Sequence, residues 1–432
     1  MNKKKISKIS AYTGISIVVA NMIGTGAFTS LGFQLESITN TASIITLWVL
    51  GGILALCGAF SYAEVGTHLK KSGGEYTFLS EIYHPIIGYL SGWISLTVGF
   101  AAPIALSALA FTQYFPIHIK YPQVICIILI AAVTLIHSNS LNSSSKFQNI
   151  TTFFKVFLIL VIILIGVIVP AETTNAINFE TSYLSEITSA TFAVSFIYVT
   201  YSYSGWNAAA YITEEFKNPQ KSLPIALIGG TLIVTILYTL LQVIFLKHVP
   251  LAELTGKLNI GTIASEYMLG SGFARIFSGG ISLLLISGIS AMVWVGPRVT
   301  ASISERHHLW RYFRNNPKGI PVKALWLQFA ISSILIITGT FNQIMIYCGI
   351  LLTFSSLLVV VGVFILRYRN KEKEIEGYKS PLFPFFQILF AIVAAWMIIF
   401  AFYNNTYESL IGLINLLIGL ITYFISTKRY GK

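Results

Sequence analysis

The chain has 432 residues, 55% of them hydrophobic and only 10% charged, with a mean hydropathy of +0.75, whereas soluble proteins are about 25% charged. This balance excludes a soluble globular domain and identifies an integral membrane protein. A formal net charge of +12 would suit a nucleic-acid partner, but the basic residues are spread over short loops, none large enough to form a binding domain.

A spanning helix needs about 20 mostly apolar residues. Such runs fall at 12–35, 42–66, 85–113, 122–138, 149–170, 188–213, 223–247, 275–303, 322–339, 342–366, 382–403 and 407–427. They predict an all-α integral membrane protein with 12 transmembrane helices in one domain, 1–432. With the N-terminus inside, all but four of the 28 lysines and arginines fall on the inner side, counting helix ends. The exceptions are Lys120, Lys247, Lys257 and Arg275. The positive-inside rule therefore places both termini in the cytoplasm of a bacterial-type cell membrane. The first span follows Lys3, Lys4, Lys5 and Lys8 as a signal peptide would, but it lacks an Ala-x-Ala cleavage site and reaches spanning length, so it is expected to stay as an uncleaved helix. Cys57, Cys126 and Cys348 all fall within spans, so neither a disulfide framework nor a thiolate metal site is indicated.

In chain order, the first span carries Gly24-Thr25-Gly26 at its middle. The internal stretch 67–84 follows the second span, and Tyr76, Phe78, Ile82 and Tyr83 give it an apolar side that suits an interfacial helix. The sixth span loses its apolar character over Tyr201-Ser202-Tyr203-Ser204-Gly205. Two spans five apart share one defect, which suggests a five-helix unit used twice, over about 8–170 and 185–366. Because five is odd, the second copy must be inverted. Paired discontinuous helices in such repeats build a midplane substrate site in many secondary transporters. Two further spans, about 382–427, complete the chain.

A break in a membrane helix leaves backbone groups without partners, at several kcal/mol each in hydrocarbon, unless protein, water or a solute satisfies them. In the first span the inner half is expected to end near Ile23, presenting carbonyls. The outer half would begin near Gly24, presenting free amides and the positive end of a helix dipole. A zwitterion suits this arrangement, its carboxylate on the amides of Gly24 to Gly26 and its ammonium on carbonyls around Ile23 and Tyr201 to Ser204. Small residues also let helices pack closely. The second break five spans later favours binding.

Lys155 lies about five residues into the fifth span, roughly 7 to 8 Å deep. It can snorkel to the surface or point into the bundle, and the inward reading is the one that the resemblance described below supports. Buried lysines shift their pKa downward, as proton cycling requires. Glu64, Glu214 and Glu215 sit at cytoplasmic helix ends and read as solvated ion-pair partners of an inner gate. His307 and His308 have no carboxylate or cysteine at ligand spacing, so no metal site is expected. Tyr12, Trp48, Trp93, Trp310 and Trp396 read as interfacial anchors. Trp294 reads as packing and Trp206 as either packing or pocket.

Several stretches together resemble the amino acid-polyamine-organocation superfamily, close to bacterial permeases similar to L-type amino acid transporters. "MIGTGAF" is similar to that family's first-helix break, and "FSYAEVGTHLKKSGGEYTFL" to its second-helix exit and first internal loop. "YSYSGWNAAAYITEEFKNPQKSLPIAL" resembles its sixth helix and following turn. "GPRVTASISERHHL" resembles its eighth-helix end, with Glu305-Arg306-His307 in place of the usual Arg-Asp-Gly. The resemblance runs in order from about residue 8 to 366. It implies the LeuT-type 5+5 inverted-repeat fold with alternating access, with discontinuous helices 1 and 6. It assigns the substrate carboxylate to the Thr25 and Gly26 amides, the ammonium to carbonyls near Ile23, Tyr201 and Ser204, and a gate or lid to Tyr203. It also places the Lys155 ammonium where sodium-coupled relatives hold a sodium ion. In one antiporter branch a glutamate follows the sixth-helix glycine by two residues. Here that position is Asn207, which weakens a cationic-substrate reading.

The expectation is a secondary amino acid permease without ATP, cofactor or metal, working by proton symport or exchange in contact with membrane lipid. No Gly-rich stretch ends in Gly-Lys-Ser or Gly-Lys-Thr, so no P-loop is inferred. Neutral substrates are favoured because no acidic residue stands at the breaks, with an amine or cationic amino acid antiporter as the alternative. An enzyme would need buried acid-base or metal groups, and the chain contains no aspartate. A channel would need a pore-lining ring or carbonyl filter. The side chain of the substrate, the coupling ion and the oligomeric state stay open.

Overall fold

A computed structural model describes residues 9–139, 142–171, 179, 181–314, 316, 320–370 and 377–428. Lys3, Lys4, Lys5, Lys8, Lys318, Lys371 and Lys373, which carry part of the orientation argument, lie outside the described residues. Among the described residues the regular structure is helical, with a single isolated bridge between Ile9 and Phe216.

The first span is two helices, α1 (Ala11–Met22) and α2 (Gly26–Gln34). Next come α3 (Thr41–Leu69) and the short α4 (Gly74–Ile82). The helix α5 (Pro85–Tyr114) follows, containing one π-helical turn at Ser95–Phe100. Then come α6 (Pro122–Asn139), α7 (Asn142–Ile168) and α8 (Thr181–Ile187). The stretch read from the sequence as the sixth span is α9 (Ala190–Tyr203), continued after a break by a 3-10 segment, Ala208–Glu215. The rest comprises α10 (Pro219–His248), α11 (Ile260–Arg306), α12 (Val322–Thr338), α13 (Phe341–Arg369), α14 (Phe385–Asn404) and α15 (Thr406–Lys428). By length and hydropathy, 8 helices among the described residues can cross a membrane, or 9 if α1 and α2 form one span.

Local chemistry sets many of these boundaries. Ser10, Asn40 and Ser189 accept backbone N–H groups at the starts of α1, α3 and α9. Thr340 and Gln343 form a reciprocal capping box on α13. Pro85 and Pro219 open α5 and α10, where a missing N–H costs nothing. Gly270, at φ +80°, interrupts α11 and divides it into two helical arms, 260–269 and 271–306.

Four side-chain readings change, the first being Trp310, which is no interfacial anchor but is buried, its Nε1 donating to the Tyr89 hydroxyl at 2.7 Å. The stretch at 74–82 is helical, but it is tucked under the bundle instead of lying on its surface: Tyr76, Phe78, Leu79 and Ile82 are all buried. Trp48 is no interfacial anchor. It is buried, and its Nε1 donates to Gln34 Oε1 at 3.0 Å. Glu64 is not solvated. It is fully buried on α3, where the Arg367 guanidinium grips both carboxylate oxygens at 2.6 and 2.8 Å and the Ser380 amide donates at 2.7 Å. A buried carboxylate is stable with such a bidentate partner, and here the pair ties the end of α13 and the Ser380 segment to α3.

Candidate functional site: two interlocked helix breaks above a one-sided cavity

The chain bends by 41° between α1 and α2. Ile23, at φ −73° and ψ 95°, ends the first helix, and its N–H still reaches Val19 O at 3.0 Å. The two glycines beyond it do different work. Gly24 faces open space, since a β-carbon there would have only Met22 O, at 3.9 Å, as a neighbour. Gly26 has no such room, because its β-carbon would stand 2.5 Å from Ser202 Cα. The second break answers the first. Gly205 has φ +99°, and its β-carbon would lie 2.7 Å from Asn21 O. Each break therefore presses a glycine against the backbone of the other, a contact only residues without a side chain permit.

The polar groups freed at the breaks divide into two sets. The N–H groups of Thr25, Gly26 and Ala27 find no backbone acceptor among the described residues, which leaves the start of α2 as a cluster of donors. The carbonyls of Ile23, Ser202, Tyr203 and Ser204 likewise receive no backbone N–H among the described residues. Other carbonyls near the first break are satisfied by neighbouring helices. Tyr238 donates to Met22 O at 2.6 Å, Gln242 to Ala27 O at 2.9 Å and Tyr114 to Phe28 O at 2.6 Å. These side chains hold the interrupted helix in place, which agrees with the cost of bare backbone in a membrane.

Two spaces meet at the breaks. A chamber of about 40 Å³ is lined by Gly24, Thr25, Gly26, Tyr201, Ser202 and Lys155, among others. A single water needs about 10 to 15 Å³, so this chamber suits a few waters and not an amino acid. Lys155 is buried there, its Nζ 3.4 Å from Ala20 O, so of the two sequence readings the structure shows the inward one. The second space is a cavity of about 1430 Å³, lined by Asn21, Tyr201, Ser204, Gly205, Glu75 and Arg298, among others. It exceeds the roughly 300 to 1,000 Å³ of an ordinary ligand pocket, so it includes an approach path as well as a site. The π-helical turn of α5 contributes Ser95, Gly99 and Phe100 to its wall, a distortion frequent at functional sites.

At one end the cavity's lining includes the exposed Tyr12 and Glu214 together with Glu215 and Arg298. Beyond the breaks, on the other side, the helices are packed shut. Phe33 stacks on Phe341 at 5.9 Å and lies 5.8 Å from Tyr198, and Gly256 N–H donates to Gly32 O at 2.9 Å. One side is open and the other closed.

The residues expected at the site are not all disposed alike. Gly24, Thr25 and Gly26 meet Tyr201, Ser202 and Ser204 around the chamber, and the Thr25 hydroxyl lies 3.3 Å from the Tyr201 phenol. Ile23 is buried beside them. Ser202 Oγ donates to Tyr198 O at 2.8 Å and lies 3.0 Å from Ser30 Oγ. Tyr203 also borders the large cavity, but its phenol donates to Trp48 O at 2.9 Å and its ring packs on Trp48 and Tyr238. Trp206 and Trp294 both line the cavity. Trp206 packs against Tyr62 at 4.7 Å, and Trp294 carries the Arg298 guanidinium 4.0 Å over its ring.

Sequence reasoning missed Tyr238, Glu75 and Tyr211, and it read Asn207 only as the absence of a glutamate. Tyr238 sits in an ordinary apolar span, where nothing marks its phenol as the partner of a break. Glu75 and Tyr211 form the second omission: the Asn207 amide and the Tyr211 phenol both donate to the buried Glu75 carboxylate. A carboxylate therefore does stand beside the sixth-span break. Among the described residues, no group of three or more histidine, cysteine or acidic side chains forms a metal site.

Residues 9–425 match the family profile described as amino acid permease. The chain belongs to that family. This permease is 28% identical over 431 residues to the human cystine/glutamate transporter, covering 97% of this chain and 85% of that protein. It is also 28% identical to the human b(0,+)-type amino acid transporter 1, covering 97% of this chain and 87% of that protein. With the mouse large neutral amino acids transporter small subunit 2 it shares 26% identity, over 100% of this chain and 82% of the relative.

Proposed function

We infer that this permease carries amino acids across the cell membrane by alternating access, with both termini cytoplasmic and twelve spans in the LeuT-type 5+5 inverted repeat. The observation that carries the reading is the interlock of the two breaks. It leaves one set of bare N–H groups at Thr25 to Ala27 and one set of bare carbonyls at Ile23 and Ser202 to Ser204 around the small chamber. That chamber shares Ala20, Asn21, Tyr201 and Ser204 with the large cavity, so that a substrate entering from the cavity must widen the chamber to reach both sets. Every α-amino acid bears one carboxylate and one ammonium about two bonds apart, and the two sets match those charges. The names of the relatives agree, since each is an amino acid or cystine/glutamate transporter.

With both termini cytoplasmic, this reading makes the cavity the inward-facing vestibule and the arrangement an inward-open state of the cycle. The substrate α-carboxylate sits at the start of α2, and its ammonium faces the carbonyls at the ends of α1 and α9. Opening to the outside requires separating Phe33 from Phe341 and Tyr198 while the mouth between Glu215 and Arg298 closes. Lys155 acts beside the substrate and not on it: its ammonium holds Ala20 O, in the last turn of α1, and so links a charge in α7 to the helix that must tilt. That placement serves proton symport or exchange equally. The preference for neutral substrates loses its premise with Glu75 beside the break.

Uptake into liposomes containing the purified protein tests the reading. Radiolabelled amino acid should accumulate when the lumen holds unlabelled amino acid or when a proton gradient is imposed, and it should saturate. Saturable flux of no amino acid under either condition would refute it.

A further inference from the structure

Two carboxylates are buried near the cytoplasmic half of the molecule, and they are treated differently. Glu64 is gripped by Arg367. Glu75 has neutral donors only: the Tyr62 phenol at 2.9 Å, the Asn207 amide and the Tyr211 phenol. Among the described residues no lysine, arginine or histidine comes within ion-pair distance of it. It is only 4% exposed, yet it lines the large cavity together with Gly205 and Ser204. Neutral donors satisfy the hydrogen-bonding valence of a carboxylate without neutralising its charge, and a buried negative charge draws a cation.

The wall around Glu75 has the matching character. Tyr62 and Trp206 meet edge to face at 4.7 Å, and Tyr211 packs against Phe100 at 6.4 Å. All four border the cavity or the carboxylate itself. Aromatic faces beside an anion form a favourable seat for an ammonium or guanidinium group. The seat is close to the α-group site along the chain, since Asn207, which holds Glu75, lies two residues beyond Gly205.

We propose that Glu75, cradled by Tyr62, Asn207 and Tyr211, is a cation subsite that receives the distal ammonium or guanidinium of a basic amino acid whose α-groups are held at the helix breaks. The assignment rests on the amino acid permease reading and adds a substrate class to it. It also gives the Asn207 position a function: the amide orients a carboxylate supplied by another segment, so the sixth span needs none of its own.

The test compares L-lysine with L-norleucine, its isostere without the ammonium, in liposome counterflow at equal protein. The unaltered protein should transport both. Glu75→Gln keeps the size and much of the hydrogen bonding, and it should lower the lysine-to-norleucine ratio of kcat/KM at least about tenfold, the size expected for loss of a charge-assisted bond. An unchanged ratio, or lysine excluded by the unaltered protein while norleucine is carried, would overturn the subsite. So would equal losses for both substrates in a folded variant, which would make Glu75 a positioning residue alone. Should Glu75→Gln not fold, the unaltered protein still decides: L-lysine must outcompete Nε-acetyl-L-lysine at least about tenfold, and equal competition contradicts the proposal. Transport of neither substrate, nor of any other amino acid, would instead refute the permease reading itself.

Discussion

A β-carbon on Gly26 would stand 2.5 Å from Cα of Ser202, so the two interrupted spans touch at a point where no side chain fits. Gly24, two residues earlier, has only Met22 O within reach, at 3.9 Å. The pair separates packing from binding. Gly26→Val must push α2 away from α9, and uptake should fall by at least about tenfold, since misplacement of about 1 Å costs that much or more in positioned chemistry. Gly24→Ala clashes with nothing but fills space beside the bare amides, so it should raise KM more than it lowers stability. Counterflow kinetics and thermal melting of the two variants check both statements.

Tyr238 offers a gentler perturbation. Its phenol is the partner of Met22 O at 2.6 Å, and Tyr238→Phe leaves that carbonyl to water or to the substrate. A neutral hydrogen bond contributes about 1 kcal/mol, so transport should drop about fivefold with the melting temperature nearly unchanged. A variant as active as the parent would show that the carbonyl is held without the phenol.

Lys155 reaches Ala20 O from α7 at 3.4 Å while buried beside the break. Lys155→Met keeps the bulk and removes the charge. If the parent accumulates substrate under an imposed pH gradient, the variant should not. Exchange at equal pH on both sides should be reduced at least about tenfold, because a charge-assisted bond to the end of α1 is gone. Exchange equal to that of the parent would remove Lys155 from the cycle.

Arg367 and Glu64 predict a stability effect. Arg367→Ala strands a fully buried carboxylate, a change that costs about 3 to 5 kcal/mol, whereas Glu64→Gln with Arg367→Met removes both charges and should recover most of the loss. Melting in detergent, with an intact far-ultraviolet helix signal as control, separates the two.

What was legible in the sequence depended on whether a residue advertised itself against its surroundings. Gly24-Thr25-Gly26 and Tyr201 to Gly205 stand out because polar and small residues interrupt apolar runs, and the structure breaks both helices there. Lys155 stands out in the same way. Trp48 did not, because a tryptophan near a span end has the pattern of a lipid anchor, and only three-dimensional packing supplies Gln34 as its partner. Glu75 was hidden for a different reason. It lies in "SGGEY", outside any apolar run, so the pattern places it in a solvated loop. The tuck of α4 beneath the bundle, which carries it to Asn207, depends on contacts 132 residues apart.

The central claim is that bare amides at Thr25 to Ala27 and bare carbonyls at Ile23 and Ser202 to Ser204 hold the two charges of one amino acid. A density map of the protein saturated with a transported amino acid tests it directly. The account predicts the α-carboxylate within hydrogen-bonding distance of the Thr25 to Ala27 amides and the ammonium turned to the opposite carbonyls. A substrate lodged elsewhere in the cavity, with the amides capped by protein or with α1 and α2 fused into one continuous helix, would contradict it.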